Sequence, residues 1–187
     1  MKYIFDFDDV LFHKTRHFRE RMFLILEKVG LSRSLIDEYS KIEIEKEHPF
    51  SLKKLIQHFV DTGAIEKTQK EKLYEEIMNE SKNSVNINLL QFVKNLKRSD
   101  CYILTRGEEE FQRDKIKRSA IAHLFSKIII VSKSKKENIE KICDEFKNET
   151  VFFIDDKAEH FENLDFQKYP NLKTILYTGQ NLGYLIS

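Results

Sequence analysis

The stretch Phe5-Asp6-Phe7-Asp8-Asp9-Val10-Leu11 places three carboxylates where a hydrophobic run gives out into a loop. The lead-in, Tyr3 to Phe7, has the length and the aromatic and β-branched content of a short strand. Carboxylates at the end of such a strand repel one another and are partly desolvated, so they persist where a cation or a reaction uses them. Two residues apart, Asp6 and Asp8 are expected to project in the same direction while the strand continues.

Four more runs of the same kind follow: Cys101 to Leu104, Ile128 to Val131, Val151 to Ile154 and Thr174 to Tyr177. They are continuous rather than alternating, as strands buried on both faces of a parallel sheet should be. Helical spacings separate them: Leu89, Leu90, Phe92, Val93 and Leu96; Phe111, Ile116 and Ile121; Ile139, Ile142, Cys143 and Phe146. Strands alternating with helices predict an α/β fold, a doubly wound, Rossmann-like parallel sheet with right-handed crossovers. In such a sheet ligands bind at the carboxyl ends of the strands, where the acids of the first run would lie.

One interval breaks the alternation. From Phe18 to Ser84 there are helical patterns and no convincing strand, which predicts an inserted helical subdomain. Phe18, Met22, Phe23, Leu26 and Val29 form one face before Gly30, and Ser32 or Ser34 can cap a second helix carrying Leu35, Ile36, Tyr39 and Ile42, ended by Pro49. Ser51 opens a third helix through Leu52, Leu55, Ile56 and Phe59 that closes near Gly63, and Thr68 starts a fourth through Leu73, Ile77 and Met78. The expected division is a core of residues 1–16 and 85–187 with a helical insertion at 17–84, packed on the core rather than tethered to it.

At 187 residues, 41% hydrophobic and 34% charged, with 5 Gly and 2 Pro, the chain has the composition of a folded globular protein. Its 32 Lys and Arg against 31 Asp and Glu leave +1, so no bulk field draws it to nucleic acid or to an anionic membrane, and any anion must be met by a local site. Two cysteines, Cys101 and Cys143, are too few for a disulfide scaffold. No signal peptide or membrane span is read, and a reducing cytoplasmic setting is expected, as monomer or weak dimer.

A second acidic pair, Asp155-Asp156, follows Val151-Phe152-Phe153-Ile154 as the first cluster follows its own strand. If the two strands are neighbours, their carboxyl oxygens can converge on a hard cation, with Mg²⁺ the best match. An anionic substrate then needs positive or N–H partners. Thr105, read as the start of a helix N-terminus after Cys101 to Leu104, offers a hydroxyl and backbone N–H groups, and Arg106 beside it can pair an anion. Lys133, Lys135 and Lys136 follow the third run, and any of them can serve. His13 and His17 lie close enough in sequence to reach the pocket, though histidines near a loop are more often incidental; His48, His58, His123 and His160 show no metal-ligand spacing.

These four elements in this order resemble the motifs of the haloacid dehalogenase superfamily over nearly the whole chain. Asp6-Phe7-Asp8-Asp9-Val10-Leu11 is similar to its first motif, Thr105 to its second, Lys135 to its third and Asp155-Asp156 to its fourth. The departure is Asp9, which stands where many members have glycine.

The resemblance implies a Mg²⁺-dependent phosphohydrolase that cleaves a small phosphomonoester, a phosphorylated metabolite or a nucleotide. Asp6 would be the nucleophile that forms an aspartyl-phosphate, and Asp8 the acid and then the base. Asp6, Asp8 (through its backbone carbonyl), Asp155 and Asp156 would hold the metal, and Thr105, Arg106 and Lys135 the phosphate. A carboxylate at position 8 favours phosphate over carbon–halogen chemistry, and the insertion at 17–84 would be a cap that carries the substrate-selecting residues. The competing expectation is a catalytically weak relative that binds a phosphorylated ligand or a protein partner in the same pocket.

Overall fold

The computed structural model describes residues 1–13 and 15–185; residues 14, 186 and 187 of the expected core segments lie outside the described residues. Five parallel strands, β1 (Lys2–Phe5), β2 (Cys101–Arg106), β3 (Lys127–Val131), β4 (Val151–Asp155) and β5 (Leu172–Leu176), form one sheet in the order β3-β2-β1-β4-β5. The first strand is therefore central, and the chain winds outward from it in both directions.

Alternation along the strands divides the core. Tyr3 and Phe5 of β1, Cys101 and Ile103 of β2 and Ile154 of β4 face one side, where α5 (Ile87–Lys94), α6 (Glu109–Arg118) and the inserted helices pack. Ile4, Tyr102, Leu104, Val151 and Phe153 face the other, against Ile139, Ile142 and Cys143 of α7 (Lys136–Glu145). Helices thus cover both faces, and the fold is the doubly wound, Rossmann-like α/β sheet expected. The outer strands differ from the expectation of burial on both faces: β3 is only partly buried and β5 mixes buried with exposed positions, because each has a single neighbour.

Between β1 and α5 lie α1 (Thr15–Glu27), α2 (Arg33–Glu45), α3 (Leu52–Asp61) and α4 (Lys70–Asn79). Gly30, at φ +90°, turns the chain after α1. Of the two candidate caps for α2, Ser32 accepts the Leu35 N–H at 3.4 Å, while the Ser34 hydroxyl meets the Ser32 hydroxyl at 2.8 Å. Ser51 caps α3 through the Lys54 N–H. Thr68 opens no α-helix; it sits in a single 3-10 turn, Lys67–Gln69, ahead of α4.

The two crossings between insertion and sheet are fastened to each other. Phe12 bridges Val85 in antiparallel fashion, and the Asn86 N–H donates to the Leu11 carbonyl at 2.8 Å. Asn86 also caps α5 through the Leu89 N–H, and its amide donates to the Val10 carbonyl at 3.1 Å and to Tyr177 Oη at 2.7 Å. One buried side chain thereby ties the loop after β1, the start of α5 and the end of β5.

Candidate active site

Register brings the two acidic clusters together. β1 pairs β4 with Phe5 opposite Ile154, so the chain reaches Asp6 and Asp155 at adjoining strand ends, and the Asp6 N–H donates to the Ile154 carbonyl at 2.9 Å. Lys135, just before α7, drives its side chain between them: Nζ is 2.8 Å from Asp6 Oδ1 and 2.7 Å from Asp155 Oδ2. Asp155 is 0% exposed and Lys135 4%. Asp6 Oδ1 also accepts the Phe7 N–H, and Asp155 accepts the Lys157 N–H and sits 2.8 Å from His160 Nδ1.

Burial pushes the Asp6 carboxyl up to about 7, with the charges of Asp155 and Asp8 adding to the rise and the Lys135 ammonium only partly offsetting it. Burial also acts to raise Asp155, yet it lies below the ordinary carboxylate value because the Lys135 charge, the Lys157 N–H and the His160 bond outweigh that cost. Half-buried Asp156 is raised by burial and then by the charges of Asp155 and Asp9.

Asp8 takes a different direction from Asp6. The expectation that both carboxylates project alike fails because β1 ends at Phe5 and the chain turns, with the Asp9 N–H on the Phe12 carbonyl and the Phe12 N–H on the Phe7 carbonyl. Asp8 Oδ1 lies 2.5 Å from Lys115 Nζ and Oδ2 2.7 Å from Gln112 Nε2, both on α6. Asp9 adopts φ +58°, so the turn uses the left-handed conformation that glycine would take freely and that aspartate tolerates better than most residues.

Thr105 is also placed differently from its sequence reading. It lies within β2, buried and paired with Ile130, and the helix that follows is capped by Glu108, whose carboxylate accepts the Glu110 and Phe111 N–H groups. The strand runs two residues further than Leu104 because Thr105 and Arg106 still find partners on β3. Arg106 is exposed at that strand end.

Of the three lysines, Lys135 alone enters the acidic cluster; Lys133 is on the surface beside Glu47, and Lys136 lies 3.7 Å from Glu140. His13 and His17 are exposed and line no part of the cavity described below. His160 is the histidine the sequence reading passed over. It follows Asp155 by five residues, and the short 3-10 turn Ala158–His160 folds it back onto that carboxylate.

The donor set suits a cation. Asp6, Asp155 and His160 each offer a ligand atom, all within 4.8 Å of one another. The Asp8 and Asp156 carboxylates are not part of that group, and the Asp8 carboxylate is committed to α6. The carboxylate oxygens of Asp6 and Asp155 are the donor type that a hard, oxygen-seeking ion prefers.

A cavity of about 930 Å³ opens beside the cluster. Asp8, Arg106, Lys135 and His160 line its core side, and Phe18, Met22, Phe23, Tyr39 and Phe50 of the insertion line the opposite wall. The insertion and the core thus share the walls of one cavity of substrate size, which Asp8, Lys135 and His160 reach while Asp6, Thr105, Asp155 and Asp156 are not among its lining residues.

No protein-family model and no curated protein matches the sequence. Solved structures do. A haloacid dehalogenase-like hydrolase from Burkholderia xenovorans LB400 is similar with a TM-score of 0.70 at 17% identity, over 92% of this chain and 81% of that one. A haloacid dehalogenase-like family hydrolase from Xanthomonas campestris gives 0.54 at 18%, over 94% and 86%. A β-phosphoglucomutase-like protein from Thermotoga maritima gives 0.55 at 16%, over 100% and 90%. At these identities the likeness is one of architecture, and the chain has the fold of the haloacid dehalogenase-like hydrolases.

Proposed function

We propose that the chain is a Mg²⁺-dependent phosphohydrolase of the haloacid dehalogenase superfamily that cleaves a small phosphomonoester through an aspartyl-phosphate. The observation that carries this reading is the meeting of Asp6, Asp155 and Lys135 at the carboxyl ends of β1 and β4, with Asp8 one turn away at the cavity wall. The fold likeness to haloacid dehalogenase-like hydrolases and to a β-phosphoglucomutase-like protein supports the class.

Asp6 would attack phosphorus while the ester P–O bond breaks, and the departing oxygen would take a proton that Asp8, ion-paired with Lys115, has first accepted from the phosphomonoester monoanion. Water would then attack the acyl-phosphate phosphorus, losing its proton to Asp8 as the bond to Asp6 breaks and phosphate leaves. Lys135 holds Asp6 by a charged contact and fixes its orientation before substrate arrives. Thr105 and Arg106, at the end of β2, are the residues for the remaining phosphate oxygens. Asp6, Asp155 and Asp156, with the Asp8 carbonyl, would hold Mg²⁺, which when bound offsets the repulsion between carboxylate and phosphate. The inserted helices would act as a cap over the leaving group, with Phe18, Tyr39 and Phe50 on its wall.

The test is phosphate release from p-nitrophenyl phosphate and a panel of phosphorylated metabolites and nucleotides, with Mg²⁺ or a chelator, for wild type and Asp6→Asn. Release that needs the metal and disappears in the variant is expected. Turnover that survives in Asp6→Asn overturns the mechanism.

A further inference from the structure

We propose that Lys115 and Gln112 are positioning residues for Asp8, fixing the proton-transfer carboxylate through both of its oxygens; this role rests on the phosphohydrolase reading above. No sequence motif singles them out, since they sit inside α6, well after the Thr105 element.

Lys115 is 3% exposed, and among the described residues its ion-pair partner is Asp8. Its ammonium is ringed by Phe7, Phe12 and Phe111, with 5.3, 4.9 and 5.1 Å to the three ring centroids. The three faces offset part of the cost of taking a lysine out of water and leave its one strong bond aimed at Asp8 Oδ1. Gln112 donates through Nε2 to Asp8 Oδ2 at 2.7 Å and to the Arg106 carbonyl at 3.1 Å. Both partners are acceptors, so the amide cannot turn over, and its buried Oε1 has no hydrogen-bond partner among the described residues. A glutamine that leaves a buried oxygen unpaired in order to donate to a carboxylate is placed for that carboxylate rather than for packing.

The neighbourhood is shaped to allow this. A Cβ at Gly107 would come within 2.7 Å of Gln112 Cγ and Nε2, so glycine there opens the space that the amide fills. The far side of α6 is anchored to α4: Tyr74 Oη donates to Asp114 at 2.9 Å, and Arg118 meets Glu75 at 2.8 Å. The two donors therefore rest on a fixed helix. A buried ion pair contributes little to stability compared with apolar residues of the same shape, whereas its effect on the orientation of a partly exposed aspartate is direct.

A positioned acid matters most when the leaving oxygen is a poor leaving group. The experiment compares kcat/KM, which reports only transfer to Asp6, for p-nitrophenyl phosphate and phenyl phosphate in wild type, Lys115→Met and Gln112→Leu, with thermal melting of each. Expected is a loss on the order of 10²-fold for phenyl phosphate and under about 10-fold for p-nitrophenyl phosphate. Folded variants that keep the wild-type ratio of the two substrates overturn the role. If Lys115→Met does not fold, Gln112→Leu decides in the same way. Absence of release by folded wild type from either ester and from the metabolite panel overturns the phosphohydrolase reading and this role with it.

Discussion

Asp6 and Asp155 share one ammonium: Lys135 Nζ stands 2.8 Å from the first and 2.7 Å from the second, and all three side chains are buried. Removing the lysine would strand the buried Asp155 charge and drive the Asp6 carboxyl, already raised to about 7, further toward its protonated form. Lys135→Met is therefore expected to destabilise the fold at neutral pH by about 3–5 kcal/mol, the usual cost of stranding a buried charge. Adding Asp6→Asn to that variant should restore part of the loss, because an amide can donate to Asp155 where the ammonium did. Urea unfolding of the two variants checks this, and equal stabilities would contradict it.

Asp6 gives a pH dependence with a definite sign. Its folded-state carboxyl is raised from 3.8 to about 7, so the native state binds the proton more tightly than the unfolded chain does. That contribution to stability is fully present below 3.8 and is lost as pH rises through about 7. Asp6→Asn carries no such charge, so in chelator its advantage over wild type should grow from about pH 4 to pH 7 and then level off. Asp155, shifted the opposite way, acts only as pH falls below the ordinary carboxylate range and leaves this window alone. Melting temperatures of both proteins across pH 4 to 8 test the trend; a constant difference would refute it.

Asp9 occupies φ +58° in the turn after β1. Glycine relieves a left-handed position and alanine gains nothing there, so Asp9→Ala should be about 1 kcal/mol less stable than Asp9→Gly. Glycine would also remove one of the charges that raise Asp156. Denaturant midpoints for the two variants, with matching slopes, measure the difference.

The sheet was readable in the sequence because each strand is a compact apolar run, and the acids stand out at the ends of two of them. Strand neighbourhood was not readable: that β1 pairs β4 is a property of topology, and only this pairing brings Asp6 to Asp155. Lys135, Lys133 and Lys136 look alike in sequence, and what separates them is which side chain passes under the strand ends. The sequence predicts a helix start at Thr105 because nothing local shows that β3 offers two more ladder partners. Lys115, Gln112 and His160 were missed for a shared reason. Each sits in a polar stretch of ordinary composition, and its role depends on a contact with a residue that the fold brings near.

Asn86 holds the site loop from outside the motifs. Its amide donates to the Val10 carbonyl and to Tyr177 Oη, and its Oδ1 accepts the Leu89 N–H at the start of α5. Asn86→Ala removes a helix cap and leaves a buried carbonyl and a buried hydroxyl without that partner, each loss worth about 1–3 kcal/mol. Asn86→Asp keeps the cap but sets a carboxylate against the Val10 carbonyl, so it should recover little. Because Val10 belongs to the turn that carries Asp8, the alanine variant is also expected to loosen Asp8 and lower phosphate release under conditions where it remains folded. Amide hydrogen exchange at residues 8–12 is the direct measure: faster exchange in Asn86→Ala supports the coupling, and unchanged exchange confines Asn86 to capping α5.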